Sequence, residues 1–115
     1  MLSDNWPWPP EMDGALAAPE SHVIVFENDA VRVLEIKISA GEREAEHTHQ
    51  MPSVMIVDRP AMIRYYREGI LVSSSAESTI VEAAVGQWMD PEGPHSVENI
   101  DDKPYHAFRV ELKRL

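Results

Sequence analysis

Along residues 31–39, Leu34, Ile36 and Ile38 share one parity, while Glu35 and Lys37 take the other. A two-residue period of this kind marks a strand with one face buried. Short extended runs recur at 22–27, 53–57, 61–66, 70–73, 79–83, 87–89, 95–100 and 105–112, with turn signals such as Asn28-Asp29 and Ala40-Gly41-Glu42 between them. Many short strands at this spacing predict a sandwich or a closed barrel. The N-terminal stretch differs. Pro7, Pro9 and Pro10 remove amide donors and fix φ, so residues 1–10 suit neither a helix nor an inner strand. Trp6 and Trp8 suggest an arm that lays its indoles on the barrel or on a partner subunit. Asp13 stands where a helix N-cap would, and Pro19 stops the one or two turns that residues 13–18 can make. The expected organisation is an arm with a short helix over residues 1–20, then one β-barrel domain over residues 21–115.

Two strands carry expectations about their faces. In 53–57, Met55 and Val57 lie on one face and Val54 and Ile56 on the other. A strand apolar on both faces is usually covered on both. One face would line the barrel, and the other would meet the arm or a second copy of the chain, so a homodimer is expected. In 105–112, His106 shares its parity with Phe108, Val110 and Leu112, while Tyr105, Arg109 and Glu111 take the opposite face. Apolar parity therefore points His106 inward.

Composition narrows the class. The 115 residues make one domain, and 43% of them are apolar, enough for a packed interior. There is no cysteine. Disulfides, thiolate zinc sites and cysteine nucleophiles are excluded, and a metal must be held by nitrogen and oxygen. The same absence favours the cytoplasm. A net charge of −10 disfavours nucleic acid and anionic membrane surfaces, since phosphates call for clustered Lys and Arg. No apolar run nears the roughly 18 residues of a membrane-spanning helix, and a start that holds Asp4 and Trp-Pro-Trp-Pro-Pro does not read as a signal peptide.

The candidate chemistry lies in five histidines: His22, His47, His49, His95 and His106. On a strand, His47 and His49 would point to one face, where two imidazoles can converge on an ion. Far downstream, glycine and proline shape a tight approach to His95. Gly41-x5-His47-x-His49 resembles the first half of the first motif of the cupin superfamily. Gly86-x4-Pro91-x-Gly93-x-His95-x3-Asn99 is similar to the second motif, with two spacers each one residue shorter than usual.

The resemblance covers residues 22–113. It implies an all-β, double-stranded β-helix (jelly-roll) barrel, with His47, His49 and His95 as ligands to one divalent transition metal, Fe, Mn, Ni or Zn. It also exposes a departure. Cupins usually place a glutamate three or four residues after the second histidine, where this chain has Ser53 and Val54. What remains is a three-His site with water or substrate on the open positions, or a site that has lost its metal.

Other residues complete the expectation. An inward His106 is either a hydrogen-bonded core histidine or the candidate catalytic residue, a proton carrier or tuning partner near the metal. His22 is expected to be solvated. Arg64 could clamp a substrate carboxylate if it faces inward, and is otherwise an exposed cation. Tyr65 and Tyr66 point to opposite faces, so one of them faces in. Arg64, Tyr66, Met51 and Ser53 form the expected substrate-side set. The expected function is a metal-dependent, dioxygenase-like cupin acting on a small organic molecule. The alternatives are a small-ligand-binding cupin without turnover, and a structural protein whose histidines are satisfied core residues.

Overall fold

The computed structural model describes residues 6–74 and 86–114. A 3₁₀ turn (Pro10–Met12) and a one-turn helix, α1 (Gly14–Ala17), come first. The strands that follow are β1 (His22–Glu27), β2 (Val31–Ile38), β3 (His47–His49), β4 (Ser53–Arg59), β5 (Ile63–Arg67), β6 (Ile70–Ser74), β7 (Gly86–Met89), β8 (Glu92–Asn99) and β9 (Tyr105–Leu112). The strand expected at 79–83 lies outside the described residues.

Local chemistry explains the joints. Asn28 turns β1 into β2, its Oδ1 accepting from the amides of Ala30 and Val31 at 2.9 and 2.8 Å. Between β5 and β6, Glu68 and Gly69 both adopt positive φ, 52° and 82°. Paired positive φ suits a two-residue hairpin turn, and glycine meets it without strain. Asp13 caps α1 by accepting from the amide of Ala15.

Two antiparallel sheets face each other, one in the order β1-β2-β9-β4-β7 and the other β3-β8-β5-β6. The core between them is Leu34, Ile36, Ile38, Val57, Ala61, Tyr105 and Ala107. Leu34, Ile36 and Ile38 point inward as their alternation predicted. The last strand does the reverse of what its apolar parity suggested. Tyr105, Ala107, Arg109 and Glu111 are buried, and they are cross-strand partners of Ile38, Ile36, Leu34 and Arg32 on β2. His106 is therefore corrected to the outer wall. The cause is physical: the inner face of this strand carries the buried charges Arg109 and Glu111 beside Tyr105 and Ala107, and the larger apolar side chains of β9 make the outer face.

The N-terminal arm lies against the four-stranded sheet. Asp13 bridges Thr48 of β3. Trp8 lies so close to Gly93 of β8 that a Cβ there would come within 2.7 Å of the indole. Among the described residues, no helix is long and apolar enough to cross a membrane.

Candidate metal centre

Strand pairing assembles the site. His47 on β3 pairs with His95 on β8, so two residues far apart in sequence share one inner face. A register shift follows His47, and His49 then lies opposite Glu92. From the other sheet, β1 brings in His22, the cross-strand partner of buried Ile36. All four imidazoles are at most 3% exposed. One donor atom each from His22, His47 and His49 lie within 4.8 Å of one another. The ring of His95 is centred 4.5 Å from that of His47 and 5.3 Å from that of His49.

His22 is thus corrected from a solvated residue to a member of the cluster. Sequence gave little warning, because Val23, Ile24, Val25 and Phe26 are apolar on both parities of β1 and all are exposed. Nothing in that run tells an inward face from an outward one.

Each of the four rings is held by Nδ1. The carbonyls of Ala45 and Gly93 lie 2.7 Å from Nδ1 of His47 and His95. A carbonyl only accepts, so both Nδ1 atoms carry the proton. His49 donates from Nδ1 to Glu111 at 3.2 Å, and Glu111 accepts from Nε of Arg32 at 2.6 Å on its other oxygen. Arg32 in turn grips both oxygens of Asp13, at 3.1 and 2.8 Å. His22 Nδ1 meets the Ser21 hydroxyl at 2.9 Å. That hydroxyl is also placed to donate to the Ala18 carbonyl or to Glu44, an arrangement that lets it accept from Nδ1 of His22. In His47, His49 and His95, Nε2 is left as the lone-pair nitrogen, and the contact with Ser21 allows the same tautomer in His22.

Burial keeps these rings neutral. It lowers the pKa of His22 to about 2 and that of His47 to about 4. His49 and His95 are lowered by the same cause. Neutral imidazole is the form that ligates metals.

Two carboxylates flank the cluster, Glu44 at 3.8 Å from Nε2 of His47 and Glu92 at 3.8 Å from Nε2 of His95. Burial pushes Glu44 up to about 8. Burial opposes ionisation of Glu92 too, but His95, Arg109 and a hydrogen bond from Tyr65 outweigh it, and its pKa is lowered. Tyr65 donates to Glu92 at 2.7 Å, and Nη2 of Arg109 donates to it at 2.7 Å. The Nε of Arg109 is buried and has no hydrogen-bond partner among the described residues. The histidines open onto a cavity of about 260 Å³ whose apolar walls include Ile36, Ile38, Val57, Ile63 and Val97. On the far side sits Gly14, where a Cβ would lie 2.9 Å from His49, 3.1 Å from His22 and 3.3 Å from His47.

The rest of the expected set falls elsewhere. His106 lies between Glu35, at 2.8 Å, and Asp58 on the outer wall. Arg64 is exposed and lies 3.9 Å from Glu98. Tyr66 turns away from the cavity, donating to Glu98 at 2.7 Å under the guanidinium of Arg43; of this pair, Tyr65 lines the cavity. Ser53 is fully buried on the inner face of β4, but its hydroxyl has no partner among the described residues and it lies outside the cavity wall. Met51 is half-buried in the bend after β3, also outside that wall. Arg109, Glu92 and Glu44 were missed. Glu44 and Glu92 each precede a motif histidine by three residues, a spacing that could have singled them out.

No protein-family model and no curated protein matches the chain. Solved structures do. A cupin domain from Bordetella pertussis Tohama I superposes with a TM-score of 0.69 at 18% identity, over 81% of this chain and 92% of that one. An uncharacterized conserved protein with a double-stranded β-helix domain from Klebsiella pneumoniae gives 0.58 at 19% identity, over 80% of this chain and 75% of that one. A DMSP lyase from Ruegeria pomeroyi gives 0.53 at 15% identity, over 76% of this chain but 41% of its own length. The chain folds as a small cupin domain. Likenesses at this identity carry the fold, and the chemistry rests on the residues.

Proposed function

We propose that the chain is a metal-binding cupin whose ion sits among His47, His49 and His95 and which takes a small organic molecule in the adjoining cavity. One observation carries this reading. The Nδ1 atoms of these rings are engaged by backbone or carboxylate oxygens, which leaves their Nε2 atoms free beside the cavity. Metal-ligating histidines are usually oriented in this way, through the ring nitrogen that does not bind the ion. A cluster of neutral nitrogens suits a first-row divalent ion such as Fe, Mn, Ni or Zn. Such an ion would supply Lewis-acid or redox chemistry, and we propose a dioxygenase-like reaction as the activity. The protein's own part is to bind and orient. Apolar walls exclude water, while the unpaired Nε of Arg109 offers a hydrogen bond to an acceptor oxygen.

We also propose that two copies pair through the outer face of the five-stranded sheet, which carries an apolar side chain on every strand.

Elemental analysis of the untagged protein beside His49→Ala tests the metal reading. About one equivalent of a transition metal, lost in the variant, is expected. Failure of the wild-type protein to bind Fe(II), Mn, Ni or Zn on reconstitution would overturn it and leave a metal-free binding pocket.

A further inference from the structure

The two sequence motifs supply three histidines, yet the barrel brings a further one to the same place. We propose that His22 is a metal ligand alongside His47, His49 and His95, making a four-imidazole centre; this rests on the metal-binding reading above. His22 is 3% exposed, and its ring is centred 4.3 Å from that of His47 and 5.2 Å from that of His49. It belongs to the tight donor group with those two. Its Nδ1 is spent on the Ser21 hydroxyl, whose own proton goes to Glu44 or Ala18. With the hydroxyl accepting from Nδ1, the Nε2 of His22 is an acceptor, as it is in the other three rings. Acceptor nitrogens packed this closely cannot hydrogen-bond to one another. A cation satisfies all of them at once.

The arm supports the same grouping. Gly14 sits over His22, His47 and His49 together, where only a residue without a side chain fits. The fold thus seats His22 in one packed set with the two motif ligands. The consequence is chemical. A fourth neutral nitrogen takes one of the positions that a three-His site would leave open. It also biases the site toward ions that favour imidazole over oxygen.

The test follows the ¹⁵N-labelled histidine rings of the metal-free wild-type protein as Zn(II) is added. The Nε2 resonances of His22, His47, His49 and His95 should shift together and saturate at one equivalent. His106, with both nitrogens engaged by Glu35 and Asp58, should stay in place as the internal control. If His22 does not move while the other three do, the four-imidazole proposal falls and the metal reading stands. If no ring moves, both fall. His22→Ala provides a second measure where its amide spectrum shows a folded protein. Its Zn(II) affinity should drop about tenfold or more, since a direct ligand should count at least as much as an outer-shell partner. Unchanged affinity overturns the proposal.

Discussion

His106 illustrates how far one residue's role depends on which way its strand faces. On the outer wall it is clamped by Glu35 and Asp58, and the hydrogen bond to Glu35 and then that to Asp58 raise its pKa above 6.5. A raised folded pKa means that protonation stabilises the fold. The contribution is complete below the unfolded value near 6.5 and is lost as pH rises through the higher folded value. Both carboxylates are more than a third exposed, so screening keeps the effect to about 1 kcal/mol or less. The stability difference between wild type and His106→Gln, measured by urea unfolding, should be largest below about pH 6 and fade at alkaline pH. A difference that grows with pH would contradict this assignment. The misplacement of His106 also shows where sequence legibility ends. Parity finds faces, but the rule that the apolar face is the inner one fails where a barrel stores buried charge. Arg109 and Glu111 are that charge, and their placement depends on Glu92, Arg32 and His49, which come from three other strands. No local window contains those partners. By contrast, the gathering of His47, His49 and His95 on one buried face was legible, because glycine and proline spacing marks the turns that present them.

At the scale of elements, the arm and the candidate metal centre are joined by one chain of contacts. Asp13, beside α1, holds Arg32 of β2; Arg32 holds Glu111 of β9; Glu111 holds His49 of β3. Arg32 is 11% exposed at its side chain and Glu111 not at all. Removing the arginine would leave a buried carboxylate without its counter-charge, and burial already raises the Glu111 pKa. Arg32→Met should therefore cost about 3 kcal/mol or more in urea unfolding. It should also weaken metal binding about tenfold to a hundredfold, because Glu111, which orients His49, loses the group that holds it. Arg32→Lys keeps the charge but not the forked geometry, and should fall between. If Arg32→Met lowers stability yet leaves Zn(II) affinity intact, the link from arm to metal is broken at His49. The short helix was legible through Asp13 and Pro19. Its place against the histidines was not, because the contact depends on the absent side chain of Gly14.

For the whole molecule, the sheet registers define one apolar row. Phe26 pairs with Val33, Val33 with Val110, Val110 with Val54, and Val54 with Trp88. Cross-strand partners share a face, so these five side chains run across all five strands on the outer side. Its two ends are the most open, Phe26 at 53% and Trp88 at 54%. The arm leaves this row to another partner: Trp8 lies on Gly93 of the opposite sheet. A contiguous apolar face of this kind marks an interaction surface, and a flat sheet face matches a second copy of itself under twofold symmetry. Light scattering at micromolar concentration should return twice the 13.0 kDa chain mass. Burying one large aromatic contributes about 1.5–3 kcal/mol. Trp88→Glu should accordingly raise the dimer dissociation constant at least about tenfold while leaving metal content unchanged, since Trp88 points away from the cavity. A monomeric mass for the wild-type protein would refute the pairing. Loss of metal in a monomeric Trp88→Glu would instead show that dimerisation supports the site, a coupling that the separate faces of the sheet do not predict.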